Sequence, residues 1–167
     1  LINCSDSSNP VENENPDNEN RSAWIQKANM SNKRATFGAS AVDGKIYVMG
    51  GESMNGALSS VEMYDPETDT WSSKKNMPSA RLAFYACEVN NKIYAIGGTH
   101  EVIMSVPNQE QLTLVEEYDP SLDSWTQKSS MNHGRILFGA CVVDNKIYVI
   151  GGWQDSTISS VEMYDPV

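Results

Sequence analysis

The sequence predicts an all-β fold of four-stranded antiparallel blades, the unit of a β-propeller, and three observations predict it. A double glycine recurs as Gly50-Gly51, Gly97-Gly98 and Gly151-Gly152, at spacings of 47 and 54 residues. Trp24, Trp71 and Trp125 repeat the same two spacings. Each block between them holds four short runs rich in β-branched and aromatic residues, separated by turn residues. Four antiparallel strands at a period near 50 residues describe a propeller blade.

Residues 1–23 are rich in Asn, Ser, Pro and Glu, with almost no large apolar side chain. They cannot bury enough surface to offset the entropy of ordering, so they are expected to form a disordered polar and acidic tail or tether. The composition changes at Trp24. Residues 24–30 match the tryptophan run of the repeat and read as an orphan outer strand without its own blade. Blades follow near 31–77, 78–131 and 132–167.

Every blade opens with an arginine, in Arg34-Ala35-Thr36-Phe37-Gly38-Ala39, Arg81-Leu82-Ala83-Phe84-Tyr85-Ala86 and Arg135-Ile136-Leu137-Phe138-Gly139-Ala140. This run reads as strand A, the first of each blade, and its small residues, such as Gly38, Ala86, Cys87, Ala140 and Cys141, would suit crowding near an axis. Asp43-Gly44, Asn90-Asn91 and Asp144-Asn145 read as two-residue hairpins with positive φ at both positions. Strand B follows, with Tyr47, Tyr94 and Tyr148, and ends at the double glycine. Strand C opens with Glu62, Glu116 or Glu162 and runs into a Tyr-Asp-Pro turn. Strand D carries Trp71 or Trp125. The sequence stops at Tyr164-Asp165-Pro166-Val167, inside a motif it completes twice earlier, and it has no initial Met. It is therefore expected to be cut at the C-terminus and at the N-terminus.

This recurring pattern of arginine, spaced Tyr and Trp, double glycine and Glu-x-Tyr-Asp-Pro resembles the kelch repeat family over residues 24–167. The absence of Trp-Asp and Gly-His signatures disfavours the WD type. The resemblance implies an order of strands from A inside to D outside, and closure of the complete ring by a terminal outer strand. It also implies a mouth that takes acidic peptide ligands. Three blades fall short of the usual 4–8, so an incomplete ring with open edges is expected, and with it self-association of the fragment.

Composition narrows the function classes. The chain has 167 residues and a net charge of −10, which repels phosphate backbones and argues against a nucleic-acid partner. The longest apolar or small run, Ile136–Val143, has eight residues, far short of a membrane span. Cysteines at 4, 87 and 141 are too few for a disulfide framework, and Cys87 and Cys141 are expected to stay unpaired as buried small residues of neighbouring inner strands. No nucleotide, hydrolase or metalloprotease motif is present, and no metal or cofactor is expected. Asp65, Glu67 and Asp69 alternate like a calcium loop but lack its following Gly and distant Glu, so they read as a solvated turn.

Candidate partner-binding residues come from two sources. Arg34, Arg81 and Arg135 ring one mouth, where they would suit carboxylates in a ligand; Glu62, Glu116 and Glu162 open strand C at the same mouth and offer each arginine a structural partner instead. The unrepeated residues are more discriminating. Gly98 to Tyr118 spans 20 residues, against 13 and 12 in the other blades, and this loop holds His100, Glu101, Ile103, Met104, Val106 and Pro107. Trp153, Gln154 and Asp155 follow the third double glycine, and His133 precedes Arg135. The expected role is a protein-binding scaffold that presents these B–C and D–A loops to a protein or peptide. An enzyme of the sugar mutarotase or oxidase type, which the family resemblance brings with it, and a carbohydrate-binding propeller are the alternatives. Leu1-Ile2-Asn3-Cys4-Ser5 resembles a bacterial lipoprotein cleavage box, although Asn3 departs from its small residue. An exported or membrane-anchored chain and a cytoplasmic one both stay open.

Overall fold

A computed structural model describes residues 24–101 and 110–167, and over them the chain is entirely β. The expected disorder of 1–23, the reading of Cys4, and Ile103, Met104, Val106 and Pro107 of the long loop lie outside the described residues.

The first blade runs through β1 (Gly38–Val42), β2 (Lys45–Met49), a small hairpin of β3 (Glu52–Ser53) and β4 (Gly56–Ala57), then β5 (Val61–Asp65) and β6 (Thr70–Lys74). The second holds β7 (Tyr85–Val89), β8 (Lys92–Ile96), β9 (Val115–Asp119) and β10 (Ser124–Gln127). The third holds β11 (Gly139–Val143), β12 (Lys146–Ile150), a hairpin of β13 (Trp153–Gln154) and β14 (Ser156–Thr157), and β15 (Val161–Tyr164). The blade sheets are ordered β1-β2-β5-β6, β7-β8-β9-β10 and β11-β12-β15, antiparallel throughout. The predicted A-to-D order is the observed one, and β1, β7 and β11 lie side by side as the inner strands.

The A–B hairpins have the predicted backbone. Asp43 and Gly44 have φ of 48° and 71°, Asn90 and Asn91 have 54° and 60°, and Asp144 and Asn145 have 50° and 58°. Asn and Asp tolerate this region better than other side chains, and its twist matches that of the flanking strands. The C–D turns close on a second device. Tyr64 Oη donates to Asp69 at 2.5 Å and Tyr118 Oη to Asp123 at 2.6 Å, with φ positive at both aspartates. Lys45 pairs with Asp65 at 2.7 Å, Lys92 with Asp119 at 2.5 Å and Lys146 with Asp165, which locks strand B to the end of strand C.

The core lies between blades. Val42, Tyr47, Met49 and Val61 of blade one pack on Phe84, Ala86, Ile93 and Tyr118 of blade two. Val89, Tyr94, Ile96 and Val115 of blade two pack on Ile147 and Val149 of blade three. Alternation along each strand therefore sends side chains to two neighbouring blades, so both faces of blade two are buried.

Three sequence expectations need correction. Strand A was expected from the arginine onward, but the ladder begins at Gly38, Tyr85 and Gly139. Thr36, Ala83 and Leu137 take φ of 51°, 52° and 51°, which breaks the extended path ahead of the strand. Residues 24–30 form no strand among the described residues. A strand D needs a strand C beside it, and among the described residues none pairs with this segment; it is held through Ala28, whose N–H donates to Asp69 at 3.0 Å and whose carbonyl accepts from the Trp71 indole at 2.8 Å. Cys87 and Cys141 are both unpaired as expected, but only Cys87 is buried; Cys141 is exposed, since among the described residues nothing packs over its side of β11.

Candidate functional site

The arginines and double glycines together build one face of the molecule. Ala35, Leu82 and Ile136, each one residue after an arginine, bridge to Glu52, Thr99 and Trp153, each one residue after a double glycine. This pins the start of every B–C loop to the end of every D–A link. The glycines make the close approach feasible. Gly51 has φ +92°, and a Cβ there would lie 2.6 Å from the Ala35 carbonyl oxygen; Gly98, at φ +94°, would meet the Leu82 carbonyl oxygen at 2.7 Å. No side chain fits either position.

Beneath this face lie the arginines. The side chains of Arg34, Arg81 and Arg135 are each 0% exposed. Arg34 Nη1 donates to the carbonyls of Gly50 at 2.7 Å and Ser60 at 3.0 Å, and Nη2 donates to Glu62 at 2.7 Å. Arg135 repeats this with Gly151 at 2.9 Å and Glu162 at 2.6 Å, and Arg81 with Gly97 at 3.2 Å and with Glu116. Each fork therefore joins the end of strand B to the start of strand C inside one blade. The glutamates also grip the D–A link: Glu62 accepts from the Ser31 and Asn32 amides at 2.9 and 3.3 Å, and Glu162 from those of Asn132 and His133 at 2.7 and 3.2 Å. Burial pushes the Glu62 carboxyl up, but hydrogen bonds from Arg34, Ser31 and Asn32 outweigh it and hold it below the ordinary value. Burial likewise raises Glu162, which the Asn132 amide and Arg135 bring below its ordinary value. Of the two roles open to the arginines, the one realised here is pairing with these glutamates, and their guanidinium groups do not reach the surface.

The remaining predicted residues lie on the face itself. Trp153 is 44% exposed in β13 and stands beside Ile136. Gln154 is half-buried, and Asp155 is exposed at the hairpin tip with φ 59°. His100 is exposed with Nδ1 2.6 Å from the Ala80 carbonyl oxygen, and the Glu101 amide donates to Thr99 Oγ1 at 3.2 Å. His133 is exposed, with Nδ1 3.3 Å from Glu162. These side chains come from two B–C loops and one D–A link, so the structure gathers them on one side of the molecule without converging them on a single point.

Sequence reasoning missed several residues of the same face. Leu137, 62% exposed, sat inside an apolar run that read as strand; Ala83 shares its positive φ and its place in the repeat but is buried, so the exposure follows from its surroundings and not from the backbone angle. Met54, 105% exposed, tips the first B–C hairpin. Thr36, Phe37, Ala83, Phe84, Leu137 and Phe138 line a shallow depression of about 190 Å³ near the axis. Gly134 supports the long loop: a Cβ there would lie 1.8 Å from the Gln111 carbonyl oxygen, so the loop base rests directly on it. Its signal in the sequence was a glycine where the other blades have Lys33 and Ala80.

Comparison with known proteins follows the same repeat. The Kelch motif model matches residues 33–78, 80–132 and 134–167. Kelch-like protein 36 of Bos taurus is 32% identical over 142 residues, 85% of this chain and 22% of that protein. Kelch-like protein 26 of Danio rerio is 30% identical over 148 residues, 86% of this chain and 24% of that protein. Alpha-scruin of Limulus polyphemus is 29% identical over 150 residues, 86% of this chain and 16% of that protein. The chain thus spans less than a quarter of the length of these curated relatives.

Proposed function

The chain belongs to the kelch repeat family, and from that premise we propose that it is a protein-binding scaffold whose partner docks on the face of the B–C loops. The observation that carries this reading is the contrast between the two faces. The A–B turns and C–D turns on one side repeat nearly unchanged and serve strand register. On the other side the loops differ in length in every blade and expose Met54, Leu137 and Trp153. Exposed apolar side chains amid polar ones suit an interface centred on a few anchors. Glu52, His100, Glu101, His133 and Asp155 supply a polar rim of carboxylates and imidazoles around them.

The test compares the two faces directly. A photo-crosslinking residue at Gln154 is expected to capture a protein partner, and the same residue at Asn91 in an A–B turn is expected to capture none. With the captured partner purified, Trp153→Ala is expected to weaken binding by about 2 kcal/mol, roughly thirtyfold in Kd, with little change in the urea midpoint. Capture at Asn91 and not at Gln154 would move the site to the opposite face.

A further inference from the structure

Asn55 is followed by Gly56, and no other asparagine of the chain precedes a glycine. The pair closes the β3–β4 hairpin, inside the B–C loop of blade one. Asn55 is exposed, and its side-chain amide has no hydrogen-bond partner among the described residues. Met54 beside it is fully exposed. Gly56 has φ +107°, and a Cβ built on it would meet nothing within 4 Å. The carboxamide carbon of Asn55 and the backbone nitrogen of Gly56 therefore adjoin each other with no side chain shielding either.

Little holds this tip in place. β3 and β4 pair over two residues each, Glu52 with Ala57 and Ser53 with Gly56. Ser53 Oγ accepts from the Asn55 N–H and donates to the Gly56 carbonyl, both at 3.2 Å. The A–B hairpins that carry Asn90, Asn91 and Asn145 stand instead between strands paired over five residues each. A ladder of two pairs opens locally at small cost, so the fold leaves Asn55 nearly as free as in a short peptide while it restrains the other three.

We propose that Asn55 is a site of spontaneous covalent modification, at which its side-chain amide is lost to the neighbouring backbone. The Gly56 backbone nitrogen gives up its proton and attacks Asn55 Cγ. A Cγ–N bond forms, the Cγ–Nδ2 bond breaks, and Nδ2 leaves as ammonia, taking up a proton in place of the one Gly56 released. The product is a succinimide ring, which solvent water then opens. Hydrolysis of the Cγ–N bond leaves aspartate. Hydrolysis of the backbone C–N bond leaves isoaspartate, in which the chain continues through Cγ. Nothing is oxidised or reduced, and water is the co-reactant.

Glycine matters here for two reasons. A Cβ on residue 56 would stand beside the attacking nitrogen, and ring closure needs a backbone rotation that glycine follows most readily. The reacting groups are consecutive in the chain, so the step needs nothing from a neighbouring blade or a partner. Either product sets a carboxylate between Met54 and Gly56. Isoaspartate also inserts one more carbon into the backbone, which moves Gly56 out of register with Ser53.

Ageing of the full chain in mildly alkaline buffer tests this, read by mass mapping of the digest and by isoaspartyl-specific carboxyl methylation. Asn55 is expected to convert to an aspartate and isoaspartate pair, while Asn90, Asn91 and Asn145 in the same digest stay intact over the same time. The rate is expected to rise with pH, because the attacking species is the amide anion, and to lie within about tenfold of that in the excised peptide. Gly56→Ala is expected to slow conversion about tenfold or more, in the chain and in the peptide alike, so the peptide reads the chemistry even where the variant chain unfolds. Asn55→Gln is expected to leave the isoaspartyl signal at background. Conversion in the folded chain more than about tenfold slower than in the peptide, equal conversion of the A–B asparagines, or an unchanged rate in Gly56→Ala overturns the inference.

Discussion

Arg81 and Glu116 show what a buried charge does in this repeat. Both are almost fully removed from solvent, and each compensates the other, so neither is tolerable alone. Arg81→Ala is expected to cost about 3–5 kcal/mol in urea denaturation, because it leaves Glu116 buried without its cation. Lysine is expected to rescue little, since it lacks the fork that reaches the Gly97 and Leu114 carbonyls together with Glu116. The acids define a pH dependence. The Asp65, Asp69, Asp119 and Asp123 carboxyls are lowered by hydrogen bonds from Lys45, Tyr64, Lys92 and Tyr118, Asp119 to about 2, and Glu62 and Glu162 are also lowered. A carboxyl lowered in the folded state contributes its stability above its ordinary value and loses it as pH falls through its folded value. The urea midpoint is therefore expected to be flat from neutral pH down to about 4.5 and to fall steadily toward pH 2. Glu62→Gln with Glu162→Gln should lower the neutral plateau and flatten the acid slope. A midpoint that rises on acidification would contradict this sign. Cys87 follows a different rule, since burial raises its thiol to about 12 and keeps it unreactive.

At the scale of the element, the double glycine joins strand B to the B–C loop by an approach only a bare backbone allows. Gly51→Ala meets the Ala35 carbonyl at 2.6 Å and the Phe37 Cβ at 2.7 Å; Gly56→Ala, in the β3–β4 hairpin at φ +107°, meets nothing within 4 Å. Both substitutions strain the backbone, but only the first also clashes. Thermal and urea melts are expected to show a loss of about 1 kcal/mol for Gly56→Ala and about 2–3 kcal/mol more for Gly51→Ala. Equal losses would mean that the clash relaxes freely. The hairpins and strand order were legible because turn residues and strand runs are local signals. The start of strand A was not, because Thr36, Ala83 and Leu137 take positive φ beside the bridge and the Arg–Glu fork, contacts between residues far apart in the chain that no local signal reports.

For the molecule as a whole, the position of a blade decides what a repeated residue is worth. Ile46, Ile93 and Ile147 occupy one register, yet Ile46 is 39% exposed and the other two are 0% exposed. Ile93→Glu places a charge inside the first seam and is expected to cost about 4 kcal/mol or more, enough to unfold most of the chain. Ile46→Glu is expected to change single-chain stability by less than about 1 kcal/mol. Denaturation of the two variants under identical conditions checks the pair; equal losses would mean that the blades do not stack as described.

The amino-acid sequence by itself determined the blade, its strand order, its hairpin chemistry and the family, because three in-register copies turn local preferences into one repeated pattern. It singled out Trp153 and the long loop through their departure from that pattern. It left the arginines with two roles, and only the tertiary structure chose between them: a guanidinium and a carboxylate 28 residues apart become a buried pair when strands B and C lie side by side. Leu137 went unnoticed for the same kind of reason, since Ala83, with the same φ and the same place in the repeat, is buried, and only the packing around each residue separates the two. Burial is likewise a property of the stack and not of the residue, which is why Cys87 and Cys141, alike in the repeat, differ in exposure.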